Sequence, residues 1–349
     1  SRTTYREHTD TENILKLRQV LSTLPAFCKD YFRAIDSTTT TKTRISYAYD
    51  IRIFFQFLLD ENPVFKNYAM TDFSVDVLDQ IKAIDLEEYM EYLKVYQNGD
   101  KTETNGERGL KRKISALRSF YAYYYKREMI HTNPTVLIDV PKIHDKSIIR
   151  LDTDEVALLL DYIEHCGDSL TGQKRVYYEK TKERDLAIVT LLLGTGIRVS
   201  ECVGLDIEDV DFKNNGIKVT RKGGNEMVVY FGEEVEKALK RYLEVRAGIT
   251  PLAGHEHALF YSAQRKRMGV QAVENMVKKY SRQITTTKKI TPHKLRSTYG
   301  TALYQETGDI YLVADVLGHK DVNTTKKHYA ALDDARRRQA ATAVRLRED

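Results

Sequence analysis

The stretch 140–150 constrains the fold of this chain more than any other feature of the sequence. It contains Pro141 together with basic and histidine side chains. Proline ends a helix and holds the residue before it in extended backbone, so such a stretch is typical of an extended linker. A chain of 349 residues is also long enough for two domains at the usual ~150 residues each. The sequence therefore predicts one domain that ends at residue 139 and a second that begins at residue 151.

Before the linker the pattern is helical. Apolar side chains recur at helical spacing within residues 10–36, although Pro25 should interrupt that helix. A threonine-rich helix start follows, and a domain of helices is predicted over 37–139. Residues 1–36 are expected to form an N-terminal extension of undefined role. Because the chain begins at Ser1 rather than Met, we also allow for a further module upstream.

One helix of this first domain carries two contrasting faces. A helix over 85–96 first leads into a loop over 98–105, which is rich in Gly, Thr and charge. In the helix after that loop, successive residues are rotated by about 100°, which places the apolar side chains on one side. The basic side chains on the other side are Arg108, Lys111, Arg112 and Arg118. This face is either a solvated charged surface or one that binds nucleic-acid phosphates, and the helix alone leaves both interpretations open.

After the linker the pattern is mixed. A hairpin is predicted over 217–231, because two segments of β-forming residues flank a glycine pair. The helix before the hairpin is predicted to end at Gly194 and Gly196, since glycine accepts the left-handed backbone of a helix cap. Further helices follow the hairpin. The chain is therefore predicted to be mainly α-helical, with a small β-sheet or hairpin in its second domain, 151–349.

Composition places the chain among soluble globular proteins. Hydrophobic residues make up 42% of it, and no run approaches the ~18 apolar residues that a membrane span needs. The formal net charge of +5 only mildly favours an anionic partner. Cys28, Cys166 and Cys202 are odd in number and form no CxxC pair, so neither a disulfide framework nor a structural zinc site is indicated. We expect a cytoplasmic protein with no membrane partner.

Two motifs of the second domain are suited to binding a phosphate. In one, Thr-Pro at 291–292 is typical of a helix start and places His293 and Arg296 on one face of the first turns. Free N–H groups at a helix start and a planar guanidinium both attract phosphate oxygens. In the other, Arg198 follows a glycine-terminated helix, and Glu201 lies where it can pair with it. Taken alone, the first motif is more typical of a solvated cap with incidental basic residues, and the second also fits a surface ion pair.

Two further motifs add a histidine, a tyrosine and a lysine. A glycine ends one predicted helix and places His319 in a tight corner, while Tyr329 lies well inside the last helix. The hairpin tip carries Lys222, which is able to protonate a leaving oxygen, although most turn lysines are merely solvated. The spacing of His293, His319 and His328 matches no HExxH or CxxC-type pattern and no carboxylate cluster joins them, so no metal is predicted.

Together these motifs resemble the tyrosine site-specific recombinases, the phage-integrase and Xer-like family. The resemblance runs in order through residues 195–201, the hairpin lysine, His-Lys-Leu-Arg at 293–296, Leu-Gly-His at 317–319 and Tyr329. More loosely, residues 113–120 and the Asn-Pro at 133–134 resemble the last helix of the family's core-binding domain. The resemblance implies an all-α core-binding domain and a mixed α+β catalytic domain. They would close as a C-shaped clamp around double-stranded DNA and need no cofactor.

The resemblance also implies a role for each matched residue. The catalytic positions are Arg198, Lys222, His293, Arg296, His319 and Tyr329, with Glu201 orienting the arginines. The tyrosine would attack the scissile phosphate and form a 3′-phosphotyrosyl link. The arginines and histidines would stabilise the charge added in the transition state, where each preorganised donor is worth ~10²–10³-fold in rate. The lysine would protonate the departing 5′-oxygen, a role worth ~10²–10⁴-fold.

The assembly implied by the resemblance is a homotetramer on two DNA sites, which exchanges strands through a Holliday junction. The tail after Tyr329, with its basic run at 336–338, would dock on a neighbouring protomer, although a solvated tail fits the same residues. Accessory DNA-bending proteins are compatible with this assembly, and the bacterial nucleoid would be its location. We favour a mobile-element integrase. The alternatives are an Xer-like dimer-resolution recombinase, a type IB topoisomerase and a catalytically silent DNA-binding relative.

The sequence departs from the family pattern at the hairpin. Arg-Lys-Gly-Gly-Asn at 221–225 stands where the family often has Gly-Lys-Gly, so Arg221 is a rival to Lys222 for the role of acid. Tyr329 lies ten positions after His319, as in other integrases, whereas some Xer-like members have nine.

Overall fold

The chain divides into two compact units, Ser1–Asp145 and Lys146–Asp349. The computed structural model describes residues 4–144 and 146–343, and within the last helix the side chains at 330–336, 339 and 342 lie outside the described set. The division falls inside the stretch 140–150. Both units are mainly helical with small antiparallel sheets, which confirms the predicted fold class. No helix within the described ranges is both long and apolar enough to cross a membrane.

The first unit is a set of helices around an aromatic-rich core. Its elements are α1 (Tyr5–Leu21), α2 (Cys28–Ala34), α3 (Thr41–Glu61), α4 (Val77–Gln80), α5 (Ala83–Lys94), β1 (Val95–Asn98), β2 (Lys101–Thr104) and α6 (Glu107–Lys126). Phe54, Phe55, Phe120 and Tyr124 are fully buried. The ring of Phe55 on α3 meets the ring of Phe120 on α6 edge to face at 6.3 Å. Such aromatic pairs contribute about 0.5–1.5 kcal/mol beyond their burial, so α3 and α6 are firmly joined through this core.

Residues 5–34 pack into the same core. Leu17 and Val20 of α1 and Phe32 of α2 belong to the buried cluster of the first unit. The chain is not helical around Pro25, which lies between the two helices as the sequence predicts. The hydroxyl of Tyr31 lies 2.7 Å from that of Ser119 on α6. Over its described residues, the predicted extension 1–36 is therefore integrated with the helices that follow it.

The prediction of a loop over 98–105 is wrong. β1 and β2 form a two-stranded antiparallel hairpin, in which Asn98 pairs with Lys101 and Val95 with Thr104. Gly99 takes the left-handed φ of +61° that a two-residue turn requires, a conformation most readily adopted by glycine. The predicted helix 85–96 accordingly ends at Lys94. Short strands of polar residues carry no hydrophobic alternation, which is why the pattern resembles a loop.

The second unit contains the remaining elements. They are α7 (Thr153–His165), α8 (Gly172–Thr195), α9 (Val199–Gly204), β3 (Val210–Asp211), β4 (Gly216–Thr220), β5 (Glu226–Tyr230), α10 (Glu233–Ala247), α11 (Val270–Ser281), α12 (Pro292–Thr307), α13 (Ile310–Leu317) and α14 (Val322–Ala343). The strands form an antiparallel sheet in the order β3-β4-β5, which confirms the predicted hairpin. α8 packs against α7, α10 and α12, and most residues of its last turns are buried.

The end of α8 directs the chain into the candidate site. Gly196 caps the helix with a left-handed φ of +66°, whereas Gly194 lies inside it. A Cβ at Gly196 would overlap the ring of Tyr299 and lie 2.9 Å from Leu317, so conformation and space both require glycine here. The turn at Gly196 therefore lies against Tyr299 of α12 and Leu317 of α13.

A buried ion pair within α8 is hydrogen-bonded to α11. Arg184 donates to Oδ1 of Asp185 over 2.8 and 3.0 Å, and the hydroxyl of Tyr280 donates to Oδ2 over 2.9 Å. Arg184 also donates to the carbonyl of Tyr261 over 3.1 Å. Because both ions are buried and hydrogen-bonded on several sides, each depends on the other for its stability.

Candidate active site

The start of α9 holds the predicted pair Arg198 and Glu201. Arg198 precedes the helix, and its backbone N–H donates to Oε2 of Glu201 over 2.9 Å. Its guanidinium Nη1 donates to Oε1 of the same carboxylate, also over 2.9 Å. The side chain of Glu201 is 3% exposed and that of Arg198 is 38% exposed. Glu201 therefore fixes one edge of the guanidinium and leaves part of it open to solvent.

Arg296 lies deeper, on α12, and is buried. The helix begins as predicted, with a threonine cap followed by proline. Nη1 of Arg296 donates to the carbonyl of Gly196 over 2.5 Å, and Nη2 donates to the carbonyl of Leu317. Desolvation and the nearby Arg198 lower the pKa of Arg296 to about 10, so it remains charged near neutral pH.

Arg221, the rival to Lys222, is a connector whose side chain is 9% exposed. Its guanidinium donates to the carbonyls of Val316 over 2.8 Å and Leu317 over 3.1 Å. These carbonyls lie in the last turn of α13, where helix geometry leaves them without intrahelical partners. Nη1 of Arg221 also lies 3.3 Å from Oε2 of Glu201. Arg221 therefore ties the hairpin to Glu201 and to the end of α13.

Lys222 is exposed on the turn between β4 and β5. The backbone N–H of Arg221 closes this turn by donating to the carbonyl of Asn225 over 2.7 Å. Gly223 takes a φ of +90°, which favours glycine at that position. The lysine is thus carried on a short turn whose base is fixed by the contacts of Arg221.

Three histidines lie near the arginines. Desolvation and the charge of Arg296 lower the pKa of His319 to about 4. Its Nδ1 lies 2.6 Å from Oγ1 of Thr325 on α14. His293 is exposed and His328 half-buried, and desolvation followed by neighbouring cations lowers the pKa of each. We therefore expect all three rings to be mainly neutral near pH 7.

Tyr329 faces inward and is 1% exposed. Its ring lies 6.3 Å from that of Tyr304 at an interplanar angle of 27°, and it meets the ring of His328 edge-on at 4.8 Å. Its hydroxyl packs against the backbone of Gly300 on α12, where a Cβ would overlap the oxygen. Desolvation raises the pKa of Tyr329 to about 12. The phenol is therefore protonated and buried beneath α12.

The arginines meet at one corner of the second unit. The carbonyl of Leu317 accepts hydrogen bonds from Arg221 and Arg296, and the carboxylate of Glu201 binds Arg198 and Arg221. A predicted histidine lies two residues beyond this carbonyl. Among the contacts described, three guanidiniums share the corner with one carboxylate. The surplus of positive charge suits an anion such as a phosphate group.

Sequence patterns give no signal for two further residues of this corner. Gly300 is a glycine inside a helix, and Thr325 is a threonine near a helix start; both are common placements. Their contacts with Tyr329 and His319 arise from packing between helices. Within the described ranges, no group of three or more His, Cys, Asp or Glu side chains is placed to hold a metal ion.

In the first unit, the four basic residues of α6 differ in their contacts. Arg108 and Lys111 are exposed. Arg112 is exposed but binds Oδ1 of buried Asp50 over 3.1 Å. Arg118 donates to two backbone carbonyls in the segment that follows the helix, over 3.1 and 2.8 Å. The predicted face therefore combines open cations with an arginine that is engaged within the unit.

Comparison with known proteins gives a consistent family. A sequence model of the phage integrase family matches residues 150–336. The tyrosine recombinase XerC of Caldanaerobacter subterraneus subsp. tengcongensis is 31% identical, and the match covers 92% of this chain and 86% of the relative. The tyrosine recombinase XerS of Lactococcus lactis subsp. cremoris is also 31% identical, with 90% and 93% of the two chains covered.

Solved structures share the fold. The Tn1549 transposon integrase in complex with transposon right end DNA aligns with a TM-score of 0.65 at 21% identity, covering 91% of this chain and 99% of that one. The XerH recombinase bound to a palindromic difH substrate aligns with a TM-score of 0.64 at 21% identity, covering 87% and 80%. More than half of the chain matches the family model, and the XerC and XerS relatives span nearly all of it. The chain therefore belongs to the phage integrase family of tyrosine recombinases, which are DNA strand-transferring enzymes.

Proposed function

We propose that this protein is a site-specific recombinase that cleaves and rejoins double-stranded DNA through a 3′-phosphotyrosyl link to Tyr329. The observation that carries the proposal is the corner at which Arg198, Arg296 and His319 meet. Two guanidiniums and a neutral imidazole supply donors for the nonbridging oxygens of one phosphate. Each preorganised donor of this kind is worth ~10²–10³-fold in rate.

The nucleophile would have to leave its pocket before it reacts. The Tyr329 hydroxyl is buried against Gly300, and a phosphate of duplex DNA has no access to that position. On leaving the pocket the phenol also escapes the desolvation that raises its pKa. Its oxygen would attack phosphorus, and its proton would pass to water or to a neutral histidine of the site, of which His293 is the exposed one.

Lys222 is the better candidate for the acid that protonates the departing 5′-oxygen. Arg221 binds two backbone carbonyls and Glu201, and a guanidinium is a poor proton donor. Lys222 is exposed on a turn adjoining this connector. Its ammonium can therefore approach a bound strand, whereas the guanidinium of Arg221 is held in place. Glu201 would orient Arg198 and Arg221 without touching the reacting atoms.

Strand exchange follows from the chemistry of the link. The phosphotyrosyl bond retains the energy of the broken phosphodiester, so a 5′-hydroxyl from a second duplex is able to reverse the attack without ATP. A homotetramer on two sites would exchange one pair of strands at a time through a Holliday junction, with each tail after Tyr329 docked on a neighbour. Of the residues in that tail, 330–336 lie outside the described side chains. Accessory DNA-bending proteins are compatible with this scheme.

The first unit would be the core-binding domain, with the DNA-facing role falling to its open cations. Arg108 and Lys111 are exposed and suited to phosphate contacts, and Arg112 remains available on its exposed side. Arg118 is the weakest of the predicted DNA contacts because backbone carbonyls occupy its donors. Such contacts would position the duplex without reading its sequence.

A mobile-element integrase in the bacterial nucleoid remains the preferred biological role. A second candidate, an Xer-like recombinase that resolves DNA dimers, is favoured by the XerC and XerS names of the relatives. Both roles use the same chemistry, and the recognised DNA site distinguishes them.

The proposal is tested by trapping the covalent link on DNA of random sequence. Randomised duplexes with a central nick are incubated with the protein, so that the cleaved fragment diffuses away and the adduct accumulates. Complexes that survive SDS are sequenced, and their peptides are identified by mass spectrometry. We expect a DNA-linked peptide that contains Tyr329, and we expect the recovered sequences to converge on one site.

Matched variants make this test specific. Tyr329→Phe should abolish the adduct, whereas Tyr311→Phe, at an exposed tyrosine of α13, should leave it intact. Arg296→Ala should reduce it by ~10²–10³-fold. Specific DNA binding without an adduct would instead favour the catalytically silent relative, and an adduct without sequence preference would favour a topoisomerase.

A further inference from the structure

The contact between Thr325 and His319 defines a hydrogen-bond direction. Thr325 is fully buried in α14, and its Oγ1 lies 2.6 Å from Nδ1 of His319. The backbone of His319 is fixed as well, since its N–H donates to the carbonyl of Ala314 over 2.9 Å at the end of α13. The imidazole is thus held from two sides, through its backbone and through one ring nitrogen.

The ring carries a single proton. Desolvation and the nearby Arg296 lower the pKa of His319 to about 4, so near pH 7 one ring nitrogen is protonated and the other is an acceptor. Which nitrogen holds the proton is decided by the partner that the other nitrogen meets.

The hydroxyl of Thr325 settles that choice. It has one hydrogen to donate, and in the part of the chain that the structure describes, Nδ1 of His319 is the partner found for it. If Nδ1 carried the proton, the Thr325 hydrogen would be left buried without an acceptor, which is a costly arrangement. If Nδ1 is the acceptor, the hydroxyl is satisfied. The proton of the imidazole then resides on Nε2, on the other side of the ring.

We propose that Thr325 is a positioning residue that donates to Nδ1 of His319 and thereby fixes the Nε2–H tautomer. This form presents an N–H donor at Nε2 of the half-buried ring. The other tautomer would present a lone pair there, which repels an anionic oxygen. The assignment of the tautomer stands on the free protein alone. The role of the donor in DNA cleavage rests on the proposed function.

The tautomer is measured directly by nitrogen NMR of the full chain labelled with ¹⁵N-histidine. His319→Gln assigns the resonances of His319 by their loss. We expect Nδ1 of the wild type near pH 7 to resonate as an unprotonated nitrogen and Nε2 as a protonated one. Thr325→Ser, which keeps the hydroxyl, should give the same pattern. Thr325→Val, which keeps the shape but removes the hydroxyl, should show a mixture with protonated Nδ1.

Two results would overturn this assignment. One is a wild-type His319 that is protonated at Nδ1, and the other is a Thr325→Val spectrum with an unchanged tautomer. Neither measurement involves DNA, so both are independent of whether the protein is a recombinase. Unfolding of the two variants is compared in parallel, and equal midpoints show that the hydroxyl rather than general damage causes a difference.

The catalytic consequence is read from single-turnover cleavage of a nicked site. Thr325→Val should cleave about 10-fold more slowly with unchanged DNA affinity, since it weakens one donor without removing it. Thr325→Ser should stay within about twofold of the wild type. A valine variant with altered tautomer and normal cleavage would refute the positioning role while leaving the tautomer assignment in place. A wild type that forms no adduct would instead refute the proposed function, and the catalytic role of Thr325 with it.

Discussion

Replacing Gly300 with alanine tests whether the backbone of α12 forms the wall of the Tyr329 pocket. A Cβ at this position would overlap the Tyr329 hydroxyl, lying 2.9 Å from Cζ and 3.2 Å from Cδ1 of Leu317. The phenol would therefore have to move by more than about 1 Å to restore ordinary contact. Overpacking on this scale costs up to about 3 kcal/mol, whereas Gly→Ala inside a helix gains about 1 kcal/mol. We expect a net loss of about 2 kcal/mol in the free energy of unfolding of the second unit.

A double-mutant cycle isolates the contact. Tyr329→Ala empties the space opposite Gly300, so in that background Gly300→Ala should stabilise the unit by up to about 1 kcal/mol through helix propensity alone. The assay is denaturant unfolding followed by circular dichroism, with the transition assigned to the second unit by hydrogen exchange of α12 peptides. A reversal of sign between the two backgrounds is the expected result. A stabilising effect in both would refute the packing of Tyr329 against Gly300.

The same substitution bears on catalysis under the proposed function. If Tyr329 must leave its pocket to reach the phosphate, a variant that raises the energy of the buried state favours the outward one. Gly300→Ala should then form the covalent adduct at least as fast as the wild type, although it is less stable. Slower adduct formation at unchanged DNA binding would mean that the inward position is close to the reactive one.

Three further predictions follow from buried or charged groups of the second unit. Asp185→Asn should lower the free energy of unfolding by about 3–5 kcal/mol, measured by denaturant titration, because it leaves the buried guanidinium of Arg184 without its counter-ion. Lys222→Ala should slow cleavage of a normal strand by ~10²–10⁴-fold but not that of a strand with a 5′-bridging sulfur, whose thiolate leaves without protonation, and Lys218→Ala should affect neither. The pKa of His319 is lowered in the folded state to about 4, so the unfolded chain binds an extra proton between pH 6.5 and 4. Stability should therefore fall as the pH drops through that window, and urea midpoints of His319→Gln should show a weaker dependence.

Helix ends in the second unit could be predicted from the sequence because their signals are local. Gly196 and Gly318 both take left-handed backbone, with φ of +66° and +67°, and glycine is favoured in that conformation whatever packs around it. The Thr-Pro at 291–292 likewise begins α12. The order of motifs along the chain was sufficient to indicate the family for the same reason, since each motif is confined to a few neighbouring residues.

The roles of Arg221 and Lys222 could not be separated in that way. Two adjacent cations on a hairpin are equivalent in sequence, and only burial distinguishes them. The backbone carbonyls of Val316 and Leu317, almost a hundred positions away in the chain, bind the guanidinium of Arg221 and leave Lys222 at the surface. The hairpin at 95–104 could not be predicted for a related reason. Pairing between its two short polar strands stabilises it, and no apolar pattern in the sequence marks these strands.

The three guanidiniums of the cationic corner repel one another, and a bound anion would relieve that repulsion. Desolvation, and then the charges of Arg198 and Arg221, lower the pKa of Arg296, and Glu201 offsets only part of the repulsion. A fold that selection shaped for stability alone would gain by replacing one of these guanidiniums with a neutral side chain. An anion with several oxygens that enters the corner relieves this repulsion. The anion therefore binds more tightly, and its binding stabilises the folded state. The buried tyrosine fits the same logic: the phosphate site is assembled in advance, and the nucleophile stays withdrawn, in contact with Gly300.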